Sequence, residues 1–540
     1  MVFVHRRSTR PALAALLSVI FLSTLSAADA GQINVTLTVD SRSTIRTIDQ
    51  QMFGLNTAAW DSELGAPITV KLLEKTSARS FRYPGGSWAD GFDWTKPRWP
   101  GMPMTREFGA LVEALHGDGV IIVNYGTGSP QMAAAWAAYC EANPSSNIVL
   151  GSDSSGKDWK TAGYWASLRA STPLTHDDGL NRLRASHSAP YPFHHFEVGN
   201  ECYGSWETDS HQQRQDPVLY AQFFAETAKL IKLVDPTAMV GAVITGGDDG
   251  DGDQQESVVN PVTKAVHSGW TPCVLRTLRG LHSLPDFVIY HIYPQQPGLE
   301  DDAVLLSAPQ SWTSIAATIK TMIDDYYPEA ASHVQLWCTE NNSVTFNPGA
   351  QSTSIVDGIY LADSFGSIIT TSFQGYYLWC LRNGVSTNYN NDPKLYGWRR
   401  YGDYGILATG KSEPNSPTDT PYPTYFALEL ISHFCAPGDR VLTAGSSNPL
   451  ITVYAVRKKN GAIGLLMINK SPLSTADAAI AIRGLRFSKS AQSWTYGIDQ
   501  DTAQANGEEG HIASEELPTK GNTMQLTLAP YSMTVVQSIQ

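Results

Sequence analysis

Two glutamates stand at the ends of two separate β-prone runs. Glu201 follows the alternating apolar and polar residues of His195–Asn200, and an aromatic, glycine-containing loop comes after it. Glu340 ends the second run, Val334–Glu340. Paired carboxyl groups suit glycoside hydrolysis, in which one protonates the leaving oxygen and the other attacks or stabilises the anomeric carbon. A lone strand-end glutamate is more often a solvated surface group, so it is the pair that predicts a catalytic centre.

The elements that must position these glutamates alternate between strand and helix. Eight β-prone segments lie at Met52–Ala58, Ser80–Tyr83, Val120–Tyr125, His195–Asn200, Met239–Thr245, Phe287–Tyr293, Val334–Glu340 and Gly375–Leu381. Helical patterns intervene at Thr69–Thr76, Thr105–His116, Gln131–Glu141, Val218–Val234, Ser311–Tyr326 and Ser354–Ser367. This alternation predicts an α/β fold, a (β/α)8 TIM barrel over residues 50–420. Active residues of such barrels gather at the C-terminal strand ends, so we expect the two glutamates to face each other there.

The rest of the chain predicts a second, all-β domain. A connector rich in Pro, Ser, Asp and Thr at Lys411–Pro423 and a helix around Tyr425–His433 follow the eighth strand. From Arg440 onward, short alternating runs separated by turn residues predict a β-sandwich, and we assign residues 421–540 to this C-terminal domain. Ile33–Val39 alternates in the same way and needs a partner sheet. We therefore expect residues 31–49 to contribute a strand to the sandwich.

The N-terminus and the charge of the chain indicate an exported protein. Residues 1–30 combine basic residues, an apolar core and small residues near Ala30, the pattern of a secretory signal peptide. No later segment has the roughly 18 uninterrupted apolar residues of a transmembrane helix, so we expect secretion to the extracellular or periplasmic space. The formal net charge of -13 argues against nucleic acid or an anionic membrane as a partner. The 14 Trp and 23 Tyr are compatible with a carbohydrate partner, because sugars stack on such rings. The oligomeric state stays open.

No cofactor or metal is predicted. The six cysteines are widely spaced without a C-x-x-C pair, and we expect small buried thiols without assigning any pairing. The run Asp248–Asp253 is rich in Asp and Gly, but it lacks the distal Glu of an EF-hand loop. A surface loop is therefore favoured there, with cation binding left open. No G-x-S-x-G nucleophile elbow is present.

With its glutamates on the fourth and seventh strands, the chain resembles the clan of retaining TIM-barrel glycoside hydrolases, and within it the α-L-arabinofuranosidase family. The similarity covers essentially the whole mature chain. The further motifs that carry it are Phe81-Arg82-Tyr83-Pro84-Gly85-Gly86 with Trp88, Asp93 and Trp94, then Tyr290-His291-Ile292-Tyr293, Tyr376-Tyr377-Leu378-Trp379 and Tyr401–Leu407.

The resemblance implies a double displacement in which Glu340 is the nucleophile and Glu201 is the acid and base. Asn200 would donate to the sugar 2-hydroxyl. Tyr293 would donate to Glu340 and hold it ionised, and Arg82 would support the same carboxylate by charge and hydrogen bonds.

Four more residues are expected to line the sugar site. His291 would belong to the same wall as Tyr293. Trp379 is the expected stacking platform. Trp206 and Trp88 are further candidates, for which a packed loop aromatic is an equally good interpretation.

Two positions depart from the arabinofuranosidase pattern, and they leave the sugar open. The family has a sugar-contacting Glu soon after the first strand's Gly and an Asn after the Gly-Gly pair. This chain has Gly54-Leu55-Asn56-Thr57 and Gly86-Ser87 instead. We expect an arabinofuranosidase-like hydrolase of plant-type polysaccharides or oligosaccharides. The alternatives are a β-glycan endo-hydrolase, a β-glucuronidase, a galactofuranosidase or a non-catalytic carbohydrate-binding protein, and exo or endo action is undecided.

Overall fold

The structure is a computed structural model that describes residues 31–252, 256–386, 390–410, 416–484, 490–519 and 521–538. The predicted signal peptide, residue Asp253 and residues 411–415 of the connector lie outside these ranges. Within them, no helix combines the length and apolar character needed to cross a membrane.

Eight parallel strands close into a barrel. They span Gly54–Asn56, Ser80–Tyr83, Asp118–Val123, His195–Val198, Met239–Val243, Phe287–Ile292, Gln335–Asn341 and Phe373–Leu378. Each overlaps one predicted segment, and the eighth pairs with the first through Tyr377 and Gly54, which closes the barrel. The residues of Asp118–Val123 are all buried, as expected for a parallel strand covered on both faces. The TIM-barrel prediction is confirmed.

Helices surround the barrel. The six predicted ones are found at Pro67–Glu74, Thr105–Ala114, Pro130–Glu141, Pro217–Val234, Trp312–Tyr326 and Ile355–Ile368, and the later one at Pro423–Phe434. Two of their starts are set locally, because the side chains of Ser129 and Asp216 accept backbone N–H groups and a proline follows each cap. The pattern missed Ala162–Ala170, Trp270–Gly280, Asp302–Ser307 and Ile498–Ala505.

Short elements fill the long connections between barrel strands and helices. One two-stranded hairpin pairs Val258–Val259 with Val266–His267. The single-turn 3-10 helices are Gln50–Met52, Gly86–Gly91, Asn181–Leu183, Ala308–Ser311 and Ala350–Thr353. The 3-10 helix Gly86–Gly91 follows the second barrel strand, so it lies at the C-terminal end of the barrel.

Nine strands form the sheet of the C-terminal domain, in one hydrogen-bonded order. They span Ile33–Thr47, Arg440–Ser446, Ile451–Arg457, Ile463–Asn469, Ala476–Arg483, Ser490–Gly497, Ala513–Pro518, Thr523–Leu528 and Ser532–Ser538. Their inward side chains form a core of their own, separate from that of the barrel, so the sheet folds over it as the predicted sandwich. The N-terminal strand pairs antiparallel with Arg440–Ser446 and parallel with Ala476–Arg483, and it buries Val35, Leu37 and Val39 in that core. The exact domain boundaries stay predictions.

A buried ion pair joins the sandwich to the barrel. Asp363, on the helix before the eighth strand, accepts hydrogen bonds from Lys470 Nζ at 2.9 Å, Thr452 Oγ1 at 2.7 Å and Tyr454 Oη at 2.8 Å. Since an unpaired charge would be costly there, these contacts fix how the sandwich packs on the barrel.

Candidate active site

Glu201 and Glu340 face each other at the C-terminal end of the barrel. Glu201 follows the fourth strand, Glu340 lies in the seventh, and His291 of the sixth strand contacts both. His291 Nδ1 is 3.0 Å from Glu201 Oε1 and 3.7 Å from Glu340 Oε2. The ligand atoms of this trio all lie within 4.8 Å of one another. This separation is shorter than the roughly 6.5–9.5 Å that leaves room for a water molecule between two catalytic carboxyls.

The guanidinium of Arg82 organises the floor of the site. It is fully buried, and its Nε donates to Glu197 Oε2 at 2.7 Å. Nη1 donates to Glu340 Oε1 at 2.8 Å and to Asn56 Oδ1 at 2.9 Å, while Nη2 donates to Asn200 Oδ1 at 2.9 Å. Burial disfavours the charge, but the two carboxylates outweigh it and raise the pKa of Arg82 above its ordinary value. One permanent cation therefore holds Glu340 and Asn200 in a fixed relation.

Glu340 is held on its other oxygen by Tyr293. The phenol hydroxyl donates to Glu340 Oε2 at 2.6 Å. Burial and the charge of Glu340 raise the pKa of Tyr293 well above its ordinary value, so the phenol keeps its proton. With Arg82 on Oε1, both oxygens of the carboxylate accept a hydrogen bond, which holds the group in one orientation.

Glu201 is surrounded by donors as well. His291 hydrogen-bonds Oε1, and the indole Nε1 of Trp206 donates to Oε2 at 2.7 Å. Burial alone would raise the pKa of Glu201, but the hydrogen bonds from His291, Trp206 and Tyr203 outweigh it and lower the pKa. Nε2 of His291 hydrogen-bonds the Thr339 hydroxyl at 3.0 Å, so contacts at both nitrogens fix the ring.

Asn200 connects this centre to a second group of buried carboxyls. Its Nδ2 donates to Glu207 Oε1 at 3.0 Å, and that oxygen also accepts from the Ser87 hydroxyl at 2.7 Å. The backbone N–H of Asn200 donates to Asp90. Burial and the charge of Asp90 raise the pKa of Glu207 to about 8, and burial raises the pKa of Asp90 to about 7. Arg82 and Glu207 thus fix the orientation of the Asn200 amide from both sides.

The predicted tryptophans differ in their surroundings. Trp379 packs against Gly86, where a Cβ atom would come within 2.8 Å of the ring. From Trp379 the aromatic rings continue to Trp60, Trp88 and Trp99, with centroid distances of 6.2, 5.5 and 5.5 Å. Trp206 is 62% exposed beside Glu201, so it can still cover a bound ligand.

The sequence patterns missed four residues of the site, namely Asn56, Trp60, Glu197 and Glu207. Glu197 had a recognisable feature, since it is a charge inside the apolar fourth strand, where it must find a cation. Asn56 sits in the first strand with nothing local to distinguish it. Trp60 and Glu207 lie in loops, where only the folded chain brings them to the site.

The other predicted features lie apart from the two glutamates. All six cysteines are buried free thiols, namely Cys140, Cys202, Cys273, Cys338, Cys380 and Cys435. In the described part of the Asp248–Asp253 loop, Asp249 is paired with His267 Nδ1 at 2.9 Å. Burial and the charge of Glu201 raise the pKa of Asp251, so this loop borders the cleft. Whether it binds a cation stays a prediction.

No family model matches the chain, but individual known proteins resemble it. A probable α-L-arabinofuranosidase C of Aspergillus niger is 23% identical over 245 residues, which are 42% of this chain and 40% of that protein. The chain thus aligns with less than half the length of this curated relative. The α-L-arabinofuranosidase of Thermotoga maritima, solved with arabinose, has a TM-score of 0.67 at 18% identity and covers 93% of this chain and 99% of its own.

A glucanase is also similar in structure. The bifunctional glucanase-xylanase from a metagenome library has a TM-score of 0.60 at 17% identity and covers 94% of this chain and 99% of its own. Fold and site together define a TIM-barrel protein with a paired-glutamate centre and a closing β-sandwich. The predicted resemblance to the α-L-arabinofuranosidases and their clan is confirmed.

Proposed function

We propose that this protein is a secreted, retaining glycoside hydrolase whose substrates are α-L-arabinofuranosides of plant-type polysaccharides or oligosaccharides. The observation that carries the proposal is the pair of Glu201 and Glu340. One carboxylate oxygen of each lies within 4.8 Å of the other, and His291 contacts both. At this separation one carboxylate reaches the anomeric carbon while the other reaches the leaving oxygen.

Glu340 is the nucleophile in this proposal. Arg82 and Tyr293 each donate to one of its oxygens, which keeps it ionised and oriented. Attack on the anomeric carbon forms a glycosyl ester and neutralises the carboxylate. When water hydrolyses the ester, the charge returns to Glu340, where the same two donors stabilise it.

Glu201 is the acid of the first step and the base of the second. It protonates the leaving oxygen and then takes a proton from the attacking water. Because its donors favour the ionised form, the protonated acid is abundant only at acidic pH. Trp206 covers Glu201 from the solvent side, so a bound sugar would exclude water from both groups.

The sugar itself is assigned from Asn200 and from the comparison with arabinofuranosidases. The remaining N–H of Asn200 is available for a 2-hydroxyl, a hydrogen bond that strengthens as the oxocarbenium ion forms. A β-glycan endo-hydrolase is the second candidate. It is favoured by the fold shared with the glucanase-xylanase and by the aromatic rings that continue from Trp379 to Trp99, since sugars of a chain stack on such rings.

A panel of substrates tests both. Aryl α-L-arabinofuranoside, β-D-galactofuranoside and β-D-glucuronide are assayed beside arabinoxylan, xylan and β-glucan, and the anomer first released is identified by NMR. Fastest turnover of the arabinofuranoside with retention is expected. Fastest turnover of internal β-glycan bonds would select the second candidate. Binding without turnover across the panel would contradict the enzyme, and inversion would contradict the mechanism.

Variants separate the two carboxyl roles. Glu340→Ala should abolish turnover of every substrate, while Glu201→Ala should spare substrates whose leaving group departs without protonation. Azide should rescue Glu201→Ala to give a glycosyl azide of retained configuration, and Glu340→Ala to give the inverted one. Glu329→Ala, an exposed glutamate paired with Arg279, is the control and should leave both rates unchanged. The reverse pattern would exchange the assigned roles.

A further inference from the structure

A second group of metal-ligating side chains lies at the opposite end of the barrel, where the fourth strand begins. Glu141 is the last residue of the helix Pro130–Glu141, His194 precedes the strand His195–Val198, and Asp235 caps the C-terminus of the helix Pro217–Val234. His194 Nδ1 lies 3.5 Å from Glu141 Oε2 and 3.8 Å from Asp235 Oδ2. The three ligand atoms are all within 4.8 Å of one another.

Both carboxylates are oriented by their other oxygen. Glu141 Oε1 accepts the backbone N–H of Phe193 at 3.2 Å. Asp235 Oδ1 accepts the N–H and the hydroxyl of Thr237 at 2.9 and 2.7 Å. The oxygens that remain, Oε2 and Oδ2, turn toward the imidazole. Hydrogen bonds that fix the second oxygen of a ligating carboxylate are typical of the shell around a bound metal.

Apart from His194, no basic side chain in the described part of the chain forms an ion pair with these two carboxylates. Neither has an ion pair with Lys or Arg, and no hydrogen bond from the described residues reaches Glu141 Oε2 although that side chain is only 5% exposed. The nearby Arg169 is occupied, because its Nη atoms donate to the carbonyls of Tyr139, Cys140 and Ala142. Among the described residues, His194 is therefore the one basic side chain in contact with both carboxylates.

We propose that Glu141, His194 and Asp235 form a binding site for a divalent transition-metal ion, with Zn²⁺ as the ion tested. Ligand atoms about 2.0–2.2 Å from a tetrahedral Zn²⁺ lie about 3.4 Å apart. The two distances from His194 Nδ1, 3.5 and 3.8 Å, are close to this value. The two carboxylate oxygens lie within 4.8 Å of each other, so they need to approach by at most about 1.4 Å. Imidazole nitrogen and carboxylate oxygen are both ligands that Zn²⁺ takes in proteins. His194 is half exposed, which leaves solvent to complete the coordination and an entry path for the ion.

The ion would act as a structural clamp. Its ligands come from two helices and from the residue before the fourth strand, whose other end carries Asn200 and Glu201. Residues at the N-terminal face of a TIM barrel serve stability rather than catalysis. The proposal is thus independent of the proposed activity.

Zn²⁺ binding to the full-length, metal-free protein is measured by isothermal titration calorimetry, and the melting temperature is followed with and without Zn²⁺. His194→Ala and Asp235→Asn should each weaken binding by at least about tenfold and remove the rise in melting temperature. The matched control is His187→Ala, because His187 faces a single carboxylate, Glu113, at 2.9 Å and should leave Zn²⁺ binding intact.

The catalytic trio is the other place where Zn²⁺ could bind. Glu340→Gln removes that possibility, and the Zn²⁺ site and its thermal stabilisation should persist in it. Co²⁺ should give the visible absorption of a tetrahedral site in this variant and not in His194→Ala. Absence of binding by the wild-type protein at millimolar Zn²⁺, undiminished binding in His194→Ala, or loss of binding in Glu340→Gln would each overturn the proposal.

Discussion

Replacement of Tyr293 by Phe changes one contact of Glu340, the proposed nucleophile, and little else. The hydroxyl donates to Glu340 Oε2 at 2.6 Å, and the ring packs against Tyr404 with a centroid distance of 6.2 Å. Phe keeps the ring and leaves no cavity, so the fold should be preserved. Only the donor on the carboxylate is lost.

The sign of the effect differs between the two chemical steps. In the first step Glu340 loses its charge as it attacks, so a hydrogen bond to the charged form gives no net help to that step. In the second step the carboxylate is the leaving group, and a donor stabilises the charge as it returns. A hydrogen bond to a charged group contributes about 1.5–3 kcal/mol. Its loss should slow hydrolysis of the glycosyl-enzyme by about 10- to 150-fold.

The assay is stopped-flow hydrolysis of an aryl arabinofuranoside with a good leaving group. Tyr293→Phe should show a burst of aryl release, a lower kcat and a lower KM, with kcat/KM reduced less than kcat. Tyr404→Phe is the control, because that hydroxyl donates to the Val344 carbonyl and not to Glu340. A fall of kcat/KM in Tyr293→Phe equal to or greater than the fall of kcat, without a burst, would refute the reasoning.

Three more outcomes are expected. Trp206→Phe removes a donor to Glu201 and should raise the pKa of that acid, so the alkaline limb of kcat/KM moves to higher pH; a limb that stays in place or moves down would contradict the assigned acid. Gly86→Ala places a Cβ 2.8 Å from Trp379 at a residue with φ +46°. It should lower the free energy of unfolding by more than about 1 kcal/mol and raise KM. An unchanged KM would contradict this expectation. Leu37→Ala opens a cavity in the sandwich core and should lower the free energy of unfolding, measured in urea, by about 2–5 kcal/mol. A decrease no larger than that of a surface substitution would show that the N-terminal strand is dispensable for stability.

The parts of this structure that follow from sequence are those with a local pattern. Barrel strands read as short apolar runs because both faces are buried, and Glu201 and Glu340 were found because each ends such a run. Ile33–Val39 was assigned to the distant sandwich because its alternation requires a partner sheet. The helix Ala162–Ala170 was missed because small and apolar residues occupy most of its positions, so no polar face reveals the 3.6-residue helical period.

The ionic partners of the site could not be predicted in the same way. Arg82 bonds residues of the first, fourth and seventh strands at once, and such contacts depend on how the barrel closes. A buried guanidinium needs acceptors, so its motif predicted a carboxylate partner but not which one. Glu197 and Asn56 complete that set; Glu197 is recognisable as a charge in an apolar strand, but its partner follows only from the folded barrel.

Glu207 explains how the amide of Asn200 keeps its orientation while Glu201 titrates. The pKa of Glu207 is raised to about 8, whereas that of Glu201 is lowered, so below neutral pH Glu207 is protonated throughout the range in which Glu201 gains its proton. A neutral carboxyl still accepts through its carbonyl oxygen, and the hydrogen bonds from Asn200 and Ser87 both end on one oxygen, Oε1. Arg82 holds the other side of the amide and is charged at every pH. The Asn200 N–H that would meet the 2-hydroxyl is therefore presented in one orientation across the acidic range, and the rate there should follow the titration of Glu201 rather than a change in sugar binding.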